Sequence, residues 1–215
     1  MYYLIYPDDP TIYFMNPIIK KLKSYIENGS LVLISCEADL NSYKDSVSKI
    51  RKIPENSKVI FIGHSTTSIL YGGQSTDFQK RPLLELSQMS IFKNIELFLI
   101  SCFSEKLLKS SRSQRNYSKC LGFGLLPSEL QEVVAHSSMR KLALDQDDIN
   151  IFKFHLADIF CSVLNYMISN NTSLDEAYNY FKIITHKKTN ELILVDKNEK
   201  VAELFFYVSQ EALLD

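Results

Sequence analysis

Two short apolar segments decide the fold of this chain: KVIFIGHS at Lys58–Ser65 and ELFLISC at Glu96–Cys102. Two segments of the same kind lie upstream, YYLIY at Tyr2–Tyr6 and LVLIS at Leu31–Ser35. Each is continuously apolar rather than alternating, which is typical of strands that are buried on both faces in a parallel sheet. The sequence therefore predicts four central parallel strands.

The segments between these strands have helical patterns. Residues Thr11–Asn28 carry apolar side chains at roughly helical spacing and end at Gly29, and Leu40–Ile53 is a more polar second helix. Strands and helices alternate, which predicts an α/β fold with a mostly parallel central sheet flanked by helices. The strand order 2-1-3-4, typical of this class, places the third and fourth strands side by side.

The second half of the chain is predicted to add further strands and helices. EVVA at Glu132–Ala135 is typical of a fifth strand, and a long helix follows at about 147–169. Ser173 and Glu176 have the spacing of a capping box ahead of another helix. The segments ELILV and ELFFYV surround a polar turn and predict a C-terminal β-hairpin at about residues 190–209.

Length and composition are those of one ordinary globular domain. The chain has 215 residues, of which 46% are hydrophobic and 23% are charged, so a single domain over residues 1–215 can bury a full core. The formal net charge is -1, which gives no overall attraction to nucleic acid or to an acidic membrane surface. Neither a nucleic-acid partner nor a membrane partner is expected.

Cysteine usage indicates a reducing compartment. The four cysteines include no CxxC pair and no nearby cluster of histidines, so no metal site is expected. A signal-peptide pattern is absent, and so is an apolar run of about 18 residues. We therefore expect a cytoplasmic protein with reduced thiols.

Candidate catalytic side chains follow the two central strands. His64 comes directly after Gly63 at the end of the third strand, and Cys102 comes after Ser101 at the end of the fourth. Ligands of open α/β sheets bind at the carboxyl ends of the strands, so adjacent third and fourth strands bring this imidazole and this thiol together. A thiolate can attack a carbonyl carbon while the imidazole carries the protons, which is the minimum for nucleophilic acyl transfer.

The other cysteines and one more histidine have weaker claims to this site. Cys36 also ends a strand, but the second strand lies beyond the first as seen from the third, so Cys36 is too far from His64. We interpret Cys36 as structural or rim-lining, and Cys120 and Cys161 as packing residues. His136, after the predicted fifth strand, either flanks the site from the other side or is a surface histidine.

The segments around His64 and Cys102 resemble a known family. An apolar strand followed by His, and a later apolar strand ending in a small residue and Cys, are similar to the caspase-like cysteine peptidases, which include separase, legumain, clostripain and the bacterial CHAT-domain proteases. Ser104-Glu105, GFGLLPSEL and SLDEAYNYF then follow in the order seen in CHAT domains, so the resemblance covers about residues 1–185. It implies a caspase-like α/β sandwich.

The resemblance also implies a function. The chain would be a cysteine endopeptidase that cleaves a partner protein through a dyad of His64 and Cys102, without a cofactor. By the same analogy, a sensor or regulatory protein would keep the enzyme inactive until a signal arrives, as in a bacterial immune or cell-death pathway. The backbone N–H groups of Cys102 and of the residue after the histidine would form the oxyanion hole.

One residue departs from the family pattern. Ser65 stands where the family has glycine. Serine still carries the backbone N–H, so the oxyanion hole survives if the backbone there does not need a positive φ. Asp8 and Asp9 follow the first strand, and beside the presumed cleft they would favour a basic residue before the scissile bond; the alternative is an ordinary turn and helix start.

A basic loop follows the cysteine. Lys109–Lys119 reads KSSRSQRNYSK and has no apolar periodicity, which is typical of an exposed loop. Caspases carry at this place a linker that is cut during activation. The resemblance therefore implies processing in this segment, and an ordinary solvated loop is the other interpretation.

Three other interpretations remain open. GHSTT at Gly63–Thr67 nearly matches the G-x-S-x-G elbow of α/β-hydrolases with Ser65 as nucleophile, although Thr67 is large for the last position and only His186 offers a late histidine. A caspase-like domain without activity would be an interaction module. A receiver-like or flavodoxin-like domain would need a phosphate-binding loop or an acidic pocket, yet no aspartate ends the third strand, where Gly63-His64 stands.

Overall fold

A computed structural model describes residues 1–111 and 117–215, which form an α/β protein with a mostly parallel sheet of six strands. The strands of this sheet are β1 (Tyr2–Pro7), β2 (Leu31–Cys36), β3 (Lys58–Ile62), β6 (Glu96–Ile100), β7 (Lys119–Gly122) and β8 (Leu213–Leu214). A separate antiparallel pair consists of β4 (Ile69–Tyr71) and β5 (Pro82–Glu85).

The described helices vary from one turn to more than six. The α-helices are α1 (Asn16–Lys21), α2 (Lys23–Glu27), α3 (Leu40–Arg51), α4 (Ser104–Ser110), α5 (Leu130–Ala135), α6 (Gln146–Ser169), α7 (Leu174–Leu194) and α8 (Glu199–Glu211). Short 3₁₀ helices cover Pro10–Met15, Leu86–Phe92 and Met139–Leu142.

The chain divides into two compact units, and the single domain expected over residues 1–215 stays a prediction. The first unit comprises Met1–Tyr13, Leu22–Gly124 and Ala212–Asp215, and it contains both sheets together with α2, α3 and α4. The second comprises Phe14–Lys21 and Leu125–Glu211, and it contains α1 and α5 to α8. All the residues that make up the candidate site below belong to the first unit.

The central sheet has the order β2-β1-β3-β6-β7-β8. This confirms the predicted arrangement of the four apolar strands, with β3 and β6 as neighbours. These two strands are parallel, and Ile62 is paired with Ile100 at their carboxyl ends. Side chains on both faces, such as those of Phe61, Phe98 and Leu99, are fully buried, which explains why the segments are continuously apolar.

The predicted fifth strand at Glu132–Ala135 is wrong. These residues lie in the helix α5, whose start is closed by a capping box between Glu129 and Glu132. Val133 is buried while Val134 is exposed, so only one of the two valines needs a hydrophobic environment. Local capping outweighs the strand propensity of two β-branched residues in so short a segment.

The strand that actually extends the sheet was not predicted from the sequence. It is β7, which pairs in parallel with β6, with Leu97 opposite Cys120. Its four residues KCLG contain only two large apolar side chains. A strand of this length carries too little periodicity to stand out from a loop.

The predicted hairpin at residues 190–209 is also wrong, since this region is helical. It forms the end of α7 and most of α8. In α8 the buried apolar residues Val201, Leu204, Phe205 and Val208 follow the i, i+3, i+4, i+7 spacing of a helix. Antiparallel pairing near the C terminus does occur, but it joins the two-residue strand β8 to β7.

The predicted helix at Thr11–Asn28 is broken into three pieces: a 3₁₀ helix, α1 and α2. The break at Leu22 coincides with a boundary between the two units, because Phe14–Lys21 belongs to the second unit and the residues on either side belong to the first. The apolar residues of Thr11–Asn28 therefore belong to two different units, although their spacing in the sequence is that of one helix.

The long helices of the second unit confirm two predictions. Helix α6 covers the predicted span, and α7 begins with the expected capping box of Ser173 and Glu176. The rings of Phe160 and Phe181 stack between them with centroids 5.7 Å apart. Among the described helices, only α6 is long and apolar enough to cross a membrane, and half of its apolar window is buried.

The basic segment Lys109–Lys119 lies partly outside the described residues, because 112–116 are not included. At its described ends, Lys109 lies in the last turn of α4, Ser111 is buried and Lys119 is the first residue of β7. The hydroxyl groups of Ser111 and Tyr117 lie 2.9 Å apart.

Candidate active site

The structure brings the two predicted catalytic residues to the same edge of the sheet. His64 and Cys102 are each the second residue after the paired Ile62 and Ile100, and the Gly63 N–H donates to the Ile100 carbonyl at 3.3 Å. Because the two strands are adjacent and parallel, the two residues follow them at equivalent positions of the same edge of the sheet. Cys102 is 8% exposed and the His64 side chain 14%.

Ser65 joins the histidine segment to the cysteine segment. Its Oγ lies 2.8 Å from Ser101 Oγ and donates to the backbone carbonyl of Cys102. Both serines are buried, so water does not compete for these hydrogen bonds. Ser65 therefore links the segment that follows β3 to the segment that follows β6.

The turn after Cys102 is anchored to the end of β7. Phe103 adopts the left-handed conformation, with φ 57°, which costs a non-glycine residue about 1–2 kcal/mol. Its N–H donates to the Gly124 carbonyl at 2.8 Å. The buried Ser104 hydroxyl donates to the Ser101 carbonyl at 2.8 Å and accepts the Phe123 N–H at 2.8 Å. These hydrogen bonds stabilise the strained turn.

The other side of His64 faces residues that follow β1. His64 Nε2 lies 2.5 Å from Thr11 Oγ1 and 3.5 Å from Asp9 Oδ2. Asp9 is only 1% exposed. A hydroxyl and a carboxylate from residues that follow β1 therefore lie beside the His64 imidazole.

Asp9 was expected to meet a basic substrate residue, but its carboxylate is engaged inside the protein. Oδ1 accepts from the Thr11 N–H at 2.9 Å, from the Thr11 hydroxyl at 2.7 Å and from Gln74 Nε2 at 2.9 Å. Neither Thr11 nor Gln74 was predicted from the sequence. The sequence did contain a signal for Thr11, namely the spacing Asp-x-Thr after the strand. At this spacing the aspartate side chain often accepts a hydrogen bond from the backbone N–H two residues later.

Asp8, the other predicted substrate-binding residue, lies nearer to solvent. Its Oδ1 accepts the Tyr13 hydroxyl at 2.7 Å, and this hydrogen bond raises the pKa of Tyr13. Partial burial, followed by a hydrogen bond with Asp8, raises the pKa of Glu37. A role for Asp8 in binding a basic substrate residue stays a prediction.

The backbone at Ser65 does not require glycine. Positive φ values occur at Gly29 and at six other described residues, and Ser65 is not among them. Ser65 is bridged to Leu70, with the flanking hydrogen bonds Thr66 N–H to Ile69 and Tyr71 N–H to His64. In such a non-hydrogen-bonded pair the Ser65 N–H points away from Leu70. The bridge therefore does not use the Ser65 N–H, and the role of this N–H in an oxyanion hole stays a prediction.

The remaining thiols and imidazoles occupy other places. Cys36 ends β2, which is separated from β3 by β1, and burial raises the pKa of its thiol. His136 and His186 belong to the second unit, where their Nε2 atoms lie 3.4 Å from the Tyr207 hydroxyl and 3.3 Å from Ser209 Oγ.

The structural context does not favour Ser65 as a nucleophile. A nucleophile elbow needs a strand, a sharp turn and a helix, whereas Ser65 is followed by the strand β4. The Ser65 hydroxyl is bonded to Ser101 and to the Cys102 carbonyl rather than to an imidazole.

Ser65→Ala is expected to weaken the protein but to preserve catalysis. Loss of the buried hydroxyl removes its hydrogen bonds to Ser101 Oγ and to the Cys102 carbonyl, which lowers the free energy of unfolding by about 1–2 kcal/mol in urea titrations. Turnover of a peptide substrate falls less than about tenfold, since Ser65 is not the attacking group. Ser75→Ala, an exposed serine in the same unit, is the matched control. Complete loss of turnover in Ser65→Ala alone would support the hydrolase interpretation.

The sequence matches no known protein-family model and no curated protein. Within 1–111 and 117–215, no group of three His, Cys, Asp or Glu side chains is arranged to hold a metal ion. The groups that the site itself offers are a thiol, an imidazole, a carboxylate and hydroxyl groups.

Proposed function

We propose that this protein is a caspase-like cysteine peptidase that cleaves a partner protein through His64 and Cys102. The observation that carries the proposal is the placement of these two residues at equivalent positions after the adjacent parallel strands β3 and β6. The hydrogen bond from Ser65 to the Cys102 carbonyl supports it, because it links the two segments directly.

The proposed reaction is acyl transfer through a thioester. The Cys102 thiol gives its proton to His64, and the thiolate attacks the carbonyl carbon of the scissile peptide bond. The N–H groups of Ser65 and Cys102 donate to the oxygen that becomes negative. His64 then protonates the departing amine as the C–N bond breaks, and water hydrolyses the thioester to regenerate the thiol.

The partners and the location belong to the same proposal. A protein substrate would present an extended segment to the carboxyl edge of the sheet, and a regulatory or sensor protein would control access. The site requires a reduced Cys102, which suits the cytoplasm.

Selective alkylation tests the reactivity of the thiol. Iodoacetamide at about pH 7.5 is expected to modify Cys102 before the other three cysteines, because a paired imidazole supplies the thiolate. Burial raises the pKa of Cys161 to about 11 and also raises the pKa of Cys36, while Cys120 is fully buried. Peptide mapping by mass spectrometry measures the four rates. First modification of Cys36 or Cys161 would contradict the prediction.

Cleavage of a proteome-derived peptide library tests the function itself. The unmodified protein is expected to create new peptide termini, identified by mass spectrometry, and the alkylated protein is expected to create none. A protein whose Cys102 is reactive but which cleaves no peptide or whole protein of the proteome would be an interaction module rather than a peptidase.

A further inference from the structure

The contacts of His64 Nε2 determine which ring nitrogen carries a proton. Three donors converge on Asp9 Oδ1: the Thr11 N–H, the Thr11 hydroxyl and the Gln74 side-chain amide. An ionised carboxylate only accepts hydrogen bonds. All three groups donate to Oδ1, so the single proton of the Thr11 hydroxyl points to Asp9.

The Thr11 hydroxyl must then accept, rather than donate, at its second contact. That contact is His64 Nε2, 2.5 Å away. A hydroxyl has one proton and two acceptor lone pairs, so a hydroxyl whose proton is used by Asp9 can bond Nε2 only if Nε2 carries a hydrogen. Asp9 Oδ2, at 3.5 Å from Nε2, adds negative charge on the same side of the ring.

From this geometry we propose that Asp9 and Thr11 are positioning residues that hold the neutral His64 ring with its proton on Nε2, so that Nδ1 is the basic nitrogen that takes the Cys102 proton. Asp9 acts on the ring through the Thr11 hydroxyl and through its own Oδ2. Gln74 secures Asp9 from a different loop, the one that follows β4. The kinetic part of this inference rests on the proposed peptidase function, while the tautomer does not.

The arrangement also stabilises the imidazolium that forms when Nδ1 takes the thiol proton. In that state both ring nitrogens carry hydrogens, and the Nε2–H keeps its acceptor in Thr11 while the charge faces the Asp9 carboxylate. Opposite charge within about 4–6 Å favours the charged form of an imidazole. The same two residues thus orient the base and stabilise its protonated product.

The tautomer is measured by NMR on protein labelled with ¹⁵N at its four histidines. At about pH 8, above the unperturbed imidazole pKa of about 6.5, long-range proton–nitrogen correlations are expected to show His64 as the Nε2–H form. Comparison with His64→Ala assigns the signals. The Nδ1–H form in the wild type would overturn the proposal, whether or not the protein cleaves peptides.

Variants of Thr11 test the role of its hydroxyl. Thr11→Val has the same shape but no acceptor, and it is expected to slow alkylation of Cys102 at pH 6–7 by about tenfold or more, the lower end of what a positioned base supplies. At about pH 10 the rates of the variant and the wild type converge, because the thiol, with an ordinary pKa of about 8.5, ionises without help. Thr11→Ser restores the wild-type profile. A merely structural role predicts a loss at every pH.

Asp9→Asn and a surface control complete the test. Asp9→Asn is expected to shift the His64 signals toward the Nδ1–H form, since an amide can donate a hydrogen bond to Nε2. Thr76→Val, at an exposed threonine of the same unit, is expected to change neither tautomer nor alkylation. Unchanged alkylation and an unchanged tautomer in Thr11→Val, with wild-type thermal stability, would overturn the proposal. The expected tautomer in a protein that cleaves nothing would refute only the peptidase function.

Discussion

Cys102→Ala and His64→Ala are each expected to reduce peptide hydrolysis by at least about a thousandfold while leaving the fold intact. Removal of the nucleophile prevents the thioester from forming, and removal of the base leaves the thiol without a proton acceptor. In enzymes whose nucleophile and base act as a unit, the two losses of activity are similarly large and do not add. The double variant should therefore be no worse than either single variant. The measurement is kcat/KM for a peptide identified from the library.

The chain provides matched controls for both substitutions. Cys36→Ala makes the same change at the end of another strand of the sheet, and His186→Ala makes it at an exposed histidine of the second unit. Both variants are expected to keep wild-type turnover. Full activity in Cys102→Ala would refute the cysteine mechanism, and loss in Cys36→Ala together with retained activity in Cys102→Ala would mean that the wrong thiol was chosen.

Gly73→Ala is expected to damage both stability and the site. A Cβ at Gly73 would collide with the backbone carbonyl of Cys36 and would lie 2.8 Å from the Asp8 carbonyl oxygen and 2.9 Å from the Glu37 carbonyl carbon. These are backbone atoms at the carboxyl ends of β1 and β2, which cannot turn away as a side chain can. The free energy of unfolding should fall by about 1–3 kcal/mol, as for other overpacked sites.

The damage should reach His64 through Gln74. The Gln74 N–H donates to the Asp8 carbonyl at 2.9 Å, and Gln74 Nε2 donates to Asp9 at 2.9 Å. Displacement of Gly73 moves both contacts, so slower alkylation of Cys102 at neutral pH should accompany the loss of stability. Urea titration and the alkylation rate measure the two effects.

Gly29→Ala is the control for this substitution. Gly29 has φ +76°, and a Cβ added there would meet no other atom within 4 Å. The left-handed conformation costs alanine about 1–2 kcal/mol, but none of the Asp9 hydrogen bonds described above involves this position. A wild-type rate of Cys102 alkylation in Gly73→Ala would contradict the link between Gly73 and the site. So would an equal slowing of Cys102 alkylation in Gly29→Ala.

Much of the first unit could be predicted because its signals are local and strong. Strands buried on both faces must be continuously apolar. The strands β1, β2, β3 and β6 are therefore visible in the sequence as apolar runs of about five residues. The order of the strands was then expected to be 2-1-3-4, which is typical of this fold class. His64 and Cys102 were found for this reason, since both follow central strands.

The errors came from segments whose pattern is short or shared between two structures. EVVA is a good strand by composition, and only the capping box with Glu129 makes it helical. ELFFYV is rich in strand-forming residues, yet its buried residues also fit a helix, and packing within the second unit decides between the two. Strand β7 has two apolar side chains, so its pairing with β6 was visible only in the tertiary structure.

By itself, the sequence determined the α/β class, the four apolar strands and the pair of side chains at their carboxyl edge, because burial on both strand faces requires a local apolar run. The tertiary structure decided which groups surround that pair. Asp9 and Thr11 contact His64, Gln74 holds Asp9 from a different loop, and Ser65, after β3, donates to the carbonyl of Cys102, after β6. Such contacts join residues far apart in the chain, and no local pattern encodes the direction in which a hydroxyl or carboxylate points.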